Sequence, residues 1–260
     1  MSNYWADRIA RAQTARANKS IFDIDKQLQK YYKNAMKKTI EDFQATYDKL
    51  WATVNLDGRE PTPADLYKLD KYWQMQAQLK RELQRLGDRE AEMLSQKFMK
   101  AYKDFYDNMA LPSGAHFGLI DDTVAEEMIN HVWCADGKTW SARVWENTEK
   151  LAETLNDELI DCVVSGRDTK ELTKRLTERF SVSYSQADSL VRTEIAHIQT
   201  QAAQKRYKDA GISMVEVWAD EDERRCPECG KLHQKRYRVG ERVPVPVHPR
   251  CRCCIVPVVE

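Results

Sequence analysis

The sequence lacks several features that would place a protein in a particular class. It has no run of eighteen or more apolar residues, so no membrane-spanning helix is expected, and its start lacks the apolar core of a secretory signal. Its formal net charge is zero, with 41 basic and 41 acidic residues, so the chain as a whole is not attracted to nucleic acid or to membranes. Nine glycines and eight prolines are few for 260 residues. These absences indicate a helix-rich protein of the reducing cytoplasm with no membrane partner.

The first part of the chain predicts two long helices. Apolar residues recur at three- and four-residue steps over residues 21–50 and again over residues 66–105, which is the helical period. The segment between them contains the turn signal Asp57-Gly58 and then Thr62, a suitable N-cap for the second helix. Gly87 predicts a break within that helix. Two long helices joined by a short turn favour an elongated antiparallel hairpin.

The second part of the chain predicts shorter helices and then a strand. The loop-forming sequence "MALPSGAHFG" marks a boundary, and helices are expected after Asp121 or Asp122, from Trp140, from Asp168 and from Ser183, the last ending at Gly211. "ISMVEVWAD" has the β-formers of a strand. The predicted fold is mainly α, with a small zinc-stapled β element in the C-terminal domain. The predicted parts are a long-helix region at 1–110, a helical part of the second domain at 120–211 and its β/zinc-knuckle tail at 212–260.

Five of the seven cysteines lie in the last 35 residues, in a pattern that predicts a metal site. Cys226 and Cys229 form a C-x2-C-G knuckle, and the pair His248 and Cys251 has the same spacing eighteen residues further on. Three thiolates and one imidazole are ligands that tetrahedral Zn²⁺ prefers. Because this tail has few large apolar residues to form a core, a bound metal ion would stabilise its folded structure. We therefore expect structural Zn²⁺.

The residues alone leave some alternatives open. Cys253 follows Cys251 by two residues and could replace His248 as the fourth ligand, while Cys254 would face the other side of a strand and pack beneath the site. A disulfide or unliganded thiols are the other outcomes. His233 is interpreted as a solvated loop residue, and Cys134 and Cys162 as small buried side chains.

A catalytic zinc site is not favoured by the sequence. Such a site keeps a coordination position open for water and uses a nearby carboxylate base, whereas four good ligands close the shell here. The chain has no H-E-x-x-H motif. Between Arg224 and Arg252 there are nine basic and two acidic residues. This basic tail could contact phosphates or could balance the charge of the thiolates.

The order of three segments resembles a known family. "LVRTEIAHIQTQAAQKRYKDAG", "VWADEDERRCPECGKLH" and "VPVHPRCRC" are similar to the phage Mu F-like, or head morphogenesis, minor capsid proteins of tailed bacteriophages, over roughly residues 140–258. The matching positions are the R-T-E residues and the ligand residues of the tail: Arg192, Thr193, Glu194, Cys226, Cys229, His248, Cys251 and Cys253.

The resemblance implies a non-enzymatic virion protein. It would bind at the portal vertex during procapsid assembly, with the portal protein and other capsid or scaffold proteins as partners and phage DNA as a further partner in packaging or ejection. Its expected location is the capsid interior or portal vertex, and the host cytoplasm during assembly. We expect Arg192 and Glu194 to form ion pairs, each with a different partner, that tie their helix to the zinc module.

Two other functions remain as alternatives. The basic knuckle is also compatible with a zinc-dependent nucleic-acid-binding regulator, whose affinity for DNA would fall steeply as salt rises. A metal-dependent nuclease or hydrolase would use Glu194 together with the metal.

Overall fold

The computed structural model describes residues 3–54, 62–109, 111, 119–219 and 225–258. The predicted turn at Asp57-Gly58 and most of the predicted boundary "MALPSGAHFG" lie outside these residues. The described part contains seven helices and three strands, which confirms a mainly α fold with a small β element. Their bounds are α1 Asn3–Val54, α2 Pro63–Tyr67, α3 Asp70–Asp107, α4 Asp122–Asn130, α5 Trp140–Val164, α6 Thr169–Asp209, β1 Met214–Trp218, α7 Pro227–Leu232, β2 Arg236–Arg238 and β3 Cys254–Val258. None of the helices in these ranges is long and apolar enough to cross a bilayer.

The sequence predicted a break at Gly87 in the second long helix, and this prediction is wrong. The helix α3 runs through this residue, and the break comes earlier, after the short α2 that Thr62 begins. A Cβ atom placed on Gly87 would lie 2.7 Å from Cζ3 of Trp145. The glycine therefore leaves room for an indole ring, and it does not end the helix.

The predicted helix start at Ser183 is also wrong, because α6 is one continuous helix of 41 residues. The Ser183 hydroxyl does not cap a helix but donates a hydrogen bond to Oδ1 of Asn147 at 3.0 Å. Neither glycine nor proline occurs between Thr169 and Asp209 to interrupt the helix. Its ends agree with the sequence: Asp168 accepts a hydrogen bond from the N–H of Glu171, and Gly211 has a φ of +71°.

The chain divides into two compact units. Unit 1 comprises residues 1–25, 93–140 and 189–260, and unit 2 comprises residues 26–92 and 141–188. Each unit groups residues that are close together in space, although they come from separate parts of the sequence. The parts predicted from the sequence, at 1–110, 120–211 and 212–260, stay a prediction.

Unit 2 packs helical segments around a buried polar group. Glu90 of α3 is 1% exposed and accepts a hydrogen bond from the hydroxyl of Tyr32 on α1 at 3.0 Å. Asn147 of α5 donates to the same hydroxyl at 2.9 Å and to the carbonyl of Ser183 on α6 at 3.1 Å. One connected network thus joins the segments of α1, α3, α5 and α6 in this unit.

Unit 1 contains the antiparallel sheet, with strand order β2-β1-β3. Val215 of β1 pairs with Tyr237 of β2, and Val217 pairs with Ile255 of β3. A buried glutamine of α1, Gln13, donates a hydrogen bond to the carbonyl of Ile255 at 3.0 Å. The sheet is therefore linked to the first turns of α1, about 240 residues away in sequence.

The predicted helical hairpin is reflected in contacts within each unit. In unit 1, Arg16 near the start of α1 forms an ion pair with Asp104 near the end of α3. In unit 2, Tyr32 of α1 bonds to Glu90 of α3. Helices α1 and α3 thus contact each other within each of the two units.

Candidate metal centre

The first half of the candidate site is the knuckle at the start of α7. Cys226 is the N-cap residue, and its sulfur accepts a hydrogen bond from the main-chain N–H of Cys229 at 3.3 Å. Pro227 occupies the first helical position, where the absence of an N–H costs nothing. The short helix therefore holds the two sulfurs on one side of a single turn.

The second half is the loop that carries His248 and Cys251. Nδ1 of His248 donates a hydrogen bond to the carbonyl oxygen of Pro249 at 2.8 Å, since a carbonyl can only accept. In the neutral ring this leaves the lone pair of Nε2 available for a metal ion. That nitrogen lies 3.3 Å from the sulfur of Cys226 and 3.2 Å from the sulfur of Cys229.

Three distances between candidate ligand atoms are close to the edges of a tetrahedral zinc site. With Zn–S of about 2.3 Å and Zn–N of about 2.0 Å, a tetrahedron has S···S edges of about 3.8 Å and S···N edges of about 3.5 Å. The sulfurs of Cys229 and Cys251 are 3.9 Å apart, and the two S···N distances are within a few tenths of an ångström of the expected edge. The donor types and their separations could therefore hold a metal ion.

The five potential ligands form two overlapping groups that share Cys229. Among the described residues, ligand atoms lie within 4.8 Å of one another in the set Cys226, Cys229 and His248, and in the set Cys229, Cys251 and Cys253. The four ligands predicted from the sequence are thus brought to the same place but do not form one such group by themselves. Their assignment as the ligand set stays a prediction.

The environment changes the acidity of the thiols unequally. The pKa of Cys226 is lowered, first by the hydrogen bond from the N–H of Cys229, and the pKa of Cys251 is lowered to about 5, first by a hydrogen bond from Cys253. Burial raises the pKa of Cys229 to about 12. The hydrogen bond to Cys251 raises the pKa of Cys253. Each of the two groups thus contains one thiol that favours the thiolate form.

Helix α6 and the main chain hold the second half of the site in place. The main-chain N–H of Arg250 donates to Oγ1 of Thr193 at 3.1 Å, and the N–H of Val247 donates to the sulfur of Cys251. Thr193 belongs to the R-T-E segment. Its hydroxyl links α6 to the loop of the candidate site. The sequence analysis expected such a link from the neighbouring residues Arg192 and Glu194.

Glu194 is anchored in another way. It is 4% exposed and accepts a hydrogen bond at 3.1 Å from the indole N–H of Trp133. It belongs to neither group of close ligand atoms among the described residues. Its position is that of a buried structural carboxylate behind an aromatic ring.

His233 was interpreted as a solvated loop residue, and this is wrong. Its Nδ1 accepts a hydrogen bond from the main-chain N–H of Ala219 at 3.2 Å, and its ring packs against Trp218 at 4.9 Å between centroids. His233 thus ties the end of α7 to the end of β1. No sequence motif marks His233, Trp133 or Val247 for these roles.

The cysteines outside the candidate ligand set have simpler surroundings. Cys254 is 2% exposed and packs in a cluster with Trp218, Val256 and residues of α1, as predicted for a side chain beneath the site. Cys253 belongs to a different cluster, the core around the sheet. Cys162 is buried in unit 2, and Cys134 is half-buried.

Comparison with known proteins finds one family that matches the part of the chain containing the candidate metal centre. Residues 153–256 match the family described as "Phage Mu protein F like protein". A curated protein of Enterococcus faecalis, NAD(+)–arginine ADP-ribosyltransferase EFV, is 28% identical over 144 residues, which are 48% of this chain and 29% of that protein. The chain therefore spans less than a third of the length of this relative. No solved structure matches the chain at a significant level.

The family match confirms the resemblance read from the sequence, and it includes Thr193, the knuckle and the loop with His248. The match, from the middle of α5 to β3, supports a Phage Mu F-like protein, and this family suggests a role in phage head morphogenesis.

Proposed function

We propose that this protein is a minor capsid protein that binds at the portal vertex of a tailed phage during procapsid assembly, and acts by binding and not by catalysis. The observation that supports the proposal most is the family match over residues 153–256, because that range contains both halves of the candidate metal centre. Its partners would be the portal protein and other capsid or scaffold proteins, and its location the virion.

We further propose that the metal is structural Zn²⁺. Cys229, Cys251 and Cys253 belong to the same buried cluster as Val215 and Val217 of the sheet. An ion held by Cys226, Cys229, His248 and Cys251 would therefore join the knuckle and the closing loop directly to that core. The free energy of metal binding would be part of the free energy of folding of this tail.

An assembly experiment tests the proposed role. Procapsids are assembled in cells with the portal, scaffold and coat proteins of the same phage, in the presence of wild type, Cys229→Ser or Cys134→Ser. We expect wild type and Cys134→Ser to co-purify with portal-containing particles, while Cys229→Ser is lost from them. Equal incorporation into particles with and without portal would contradict the portal-vertex role.

The arginines around the site favour a second role in contacting DNA. Arg225, Arg250 and Arg252 line a small cavity together with Cys226 and His248. Their positive charges lie beside the candidate thiolate ligands, and positive charge at this place would also attract phosphate groups.

Salt dependence tests the DNA role. Binding of the purified protein to a duplex is measured as ionic strength rises, for wild type, Arg252→Ala and the control Lys150→Ala, which removes an exposed lysine of α5. A phosphate contact predicts that only Arg252→Ala lowers the slope of log affinity against log salt, by about one. Equal slopes for all three proteins would exclude Arg252 from DNA contact.

The family match is consistent with a protein that is not an enzyme. The ADP-ribosyltransferase activity in the name of the relative belongs to a protein of which this chain matches 29%. It is therefore not carried over to this chain.

A further inference from the structure

A second cavity lies in unit 1, between α6 and the segment of residues 240–246. Its volume is about 440 Å³, which is within the range of ligand-binding pockets. One wall consists of polar side chains on successive turns of α6, and the other is the Val-Pro-Val-Pro sequence from Val243 to Pro246. Val243 and Val245 are buried in the core, while Pro244 is exposed.

A buried polar atom in this cavity lacks a partner. His197 is 5% exposed, and among the described residues its Nε2 has no hydrogen-bond partner. Its ring stacks on Trp133 at 4.2 Å with an interplanar angle of 9°, so the orientation of the imidazole is fixed. Burial, and then His131, lowers the pKa of His197 to about 3, so the ring is neutral near pH 7. The ring therefore adds no charge to the lining of the cavity.

The opposite wall is pinned at both ends. At one end, Gln204 accepts a hydrogen bond from the N–H of Gly240 at 3.0 Å and donates to the carbonyl of Glu241 at 3.3 Å. At the other end, the wall continues into Val247, whose N–H bonds to the sulfur of Cys251. The width of the cavity thus depends on the same loop that forms the candidate metal centre.

The charge at the mouth of the cavity favours a ligand with a single negative charge. Arg242 is exposed, and no ion pair or hydrogen bond joins its guanidinium to another side chain in the described part of the chain. The carboxylate of Glu241 already accepts a hydrogen bond from the N–H of Arg238 at 3.2 Å. A polyanion is bound by several basic residues along its length, whereas this lining contains one arginine and one glutamate. A single carboxylate, in contrast, can form a bidentate pair with Arg242.

We propose that this cavity binds a short, extended acidic peptide segment of another protein. Arg242 receives the carboxylate, Gln201 forms hydrogen bonds with main-chain amides of the peptide, and Trp133 and the Val-Pro wall contact its apolar side chains. If the protein acts in head assembly, the segment belongs to one of its capsid or portal partners. Peptide binding is measured without particles, so its failure is distinguishable from a failure of the assembly role.

The test uses the full chain loaded with Zn²⁺ and a positional set of fluorescein-labelled hexapeptides. Each acidic peptide is paired with a copy in which Glu is replaced by Gln and the C-terminus is amidated. Affinity is measured by fluorescence polarisation for wild type, for Arg242→Ala and for Gln201→Ala. The matched control is Arg238→Ala, an exposed arginine four residues away that does not line the cavity.

We expect acidic members of the set to bind, with affinity at least about tenfold lower for their neutral copies and for Arg242→Ala. Gln201→Ala should weaken both kinds of peptide equally, and Arg238→Ala should have little effect. The proposal is overturned if no peptide binds with a Kd below about 1 mM. It is also overturned if both arginine variants lose affinity equally, since the attraction would then be unspecific. Binding of a single-stranded oligonucleotide that Arg242→Ala abolishes would assign the cavity to nucleic acid instead.

Discussion

The main-chain N–H of Arg250 donates a hydrogen bond to the hydroxyl oxygen of Thr193, with a distance of 3.1 Å. Arg250 stands between His248 and Cys251 and has a φ of +61°, a left-handed conformation that non-glycine residues seldom adopt. The hydroxyl of Thr193 in turn donates to the carbonyl of Ser189 one turn earlier in α6, at 2.7 Å. The long helix thus fixes the main chain of the loop that presents two of the proposed ligands.

Replacement of Thr193 by valine should weaken metal binding. Valine keeps the shape of threonine but removes the acceptor for the N–H of Arg250, so the loop loses its tie to α6. Such indirect ligand supports are worth about ten- to a hundredfold in metal affinity. Competition with a coloured zinc chelator measures the change. Thr177→Val is the matched control, because within the described part of the chain that hydroxyl bonds only to the carbonyl of Thr173 in its own helix. Equal affinities of Thr193→Val and wild type would show that this bond does not position the loop.

Replacement of Gln13 by alanine should destabilise unit 1. Gln13 is 1% exposed and joins Ile255 of β3, as described above, to Gln199 of α6, whose amide donates to it at 2.9 Å. Its removal leaves the buried amide of Gln199 without its acceptor and leaves the Ile255 carbonyl with only the longer hydrogen bond from the Tyr207 hydroxyl, at 3.5 Å, among the described residues. The cost should be about 1–3 kcal/mol. Urea unfolding measures the loss. Asn18→Ala, at an exposed position of the same helix, should change stability little. A loss as large in Asn18→Ala would point to helix propensity and not to the buried bonds.

Replacement of Gly87 by alanine should destabilise the protein, although alanine usually stabilises a helix relative to glycine. Alanine is normally favoured over glycine within a helix by about 1 kcal/mol. Here the new methyl group would lie 2.7 Å from the ring of Trp145, and overpacking costs about 1–3 kcal/mol. Gly87→Ala should therefore lower the thermal midpoint. In a Trp145→Ala background the same change should raise it. Stabilisation of the otherwise unchanged protein by Gly87→Ala would contradict the close contact.

The stability of unit 2 should fall as pH rises through the range set by Glu90. Burial raises the pKa of this carboxyl from 4.5 to about 7, so the folded protein holds a proton that the unfolded chain releases above pH 4.5. The contribution is complete below pH 4.5 and is lost as pH rises through 7, with a total of about 3 kcal/mol. Urea midpoints between pH 4 and 8 measure it. Glu90→Gln should remove this component, whereas the exposed Glu92→Gln should leave it. An unchanged pH dependence in Glu90→Gln would show that Glu90 is not its source.

The helical content and the position of the candidate site follow from local patterns in the sequence. The apolar period of α1, the cap at Thr62 and the C-x2-C-G knuckle each depend on residues close together in the chain. For this reason the start of α2, the strand β1 and the end of α6 at Gly211 are confirmed.

The sequence-based predictions are wrong where contacts between residues far apart in the chain determine the structure. Gly87 looked like a helix break because its neighbour Trp145 is 58 positions away, and Ser183 looked like a cap because its partner Asn147 lies on another helix. Thr193 has no local signal for a bond to Arg250. These contacts exist only in the packed protein, so spacing along the chain does not predict them.

Zinc content per chain is the most direct test of the metal centre and its ligands. It is measured by elemental analysis together with thiol counting, for wild type, His248→Ala and Cys253→Ala, each purified without added metal. We expect about one Zn²⁺ per wild-type chain, a loss of metal affinity in His248→Ala and retention in Cys253→Ala. The opposite pattern in the two variants would make Cys253 the fourth ligand. No zinc in the wild type, with paired thiols instead, would contradict the metal-stapled tail.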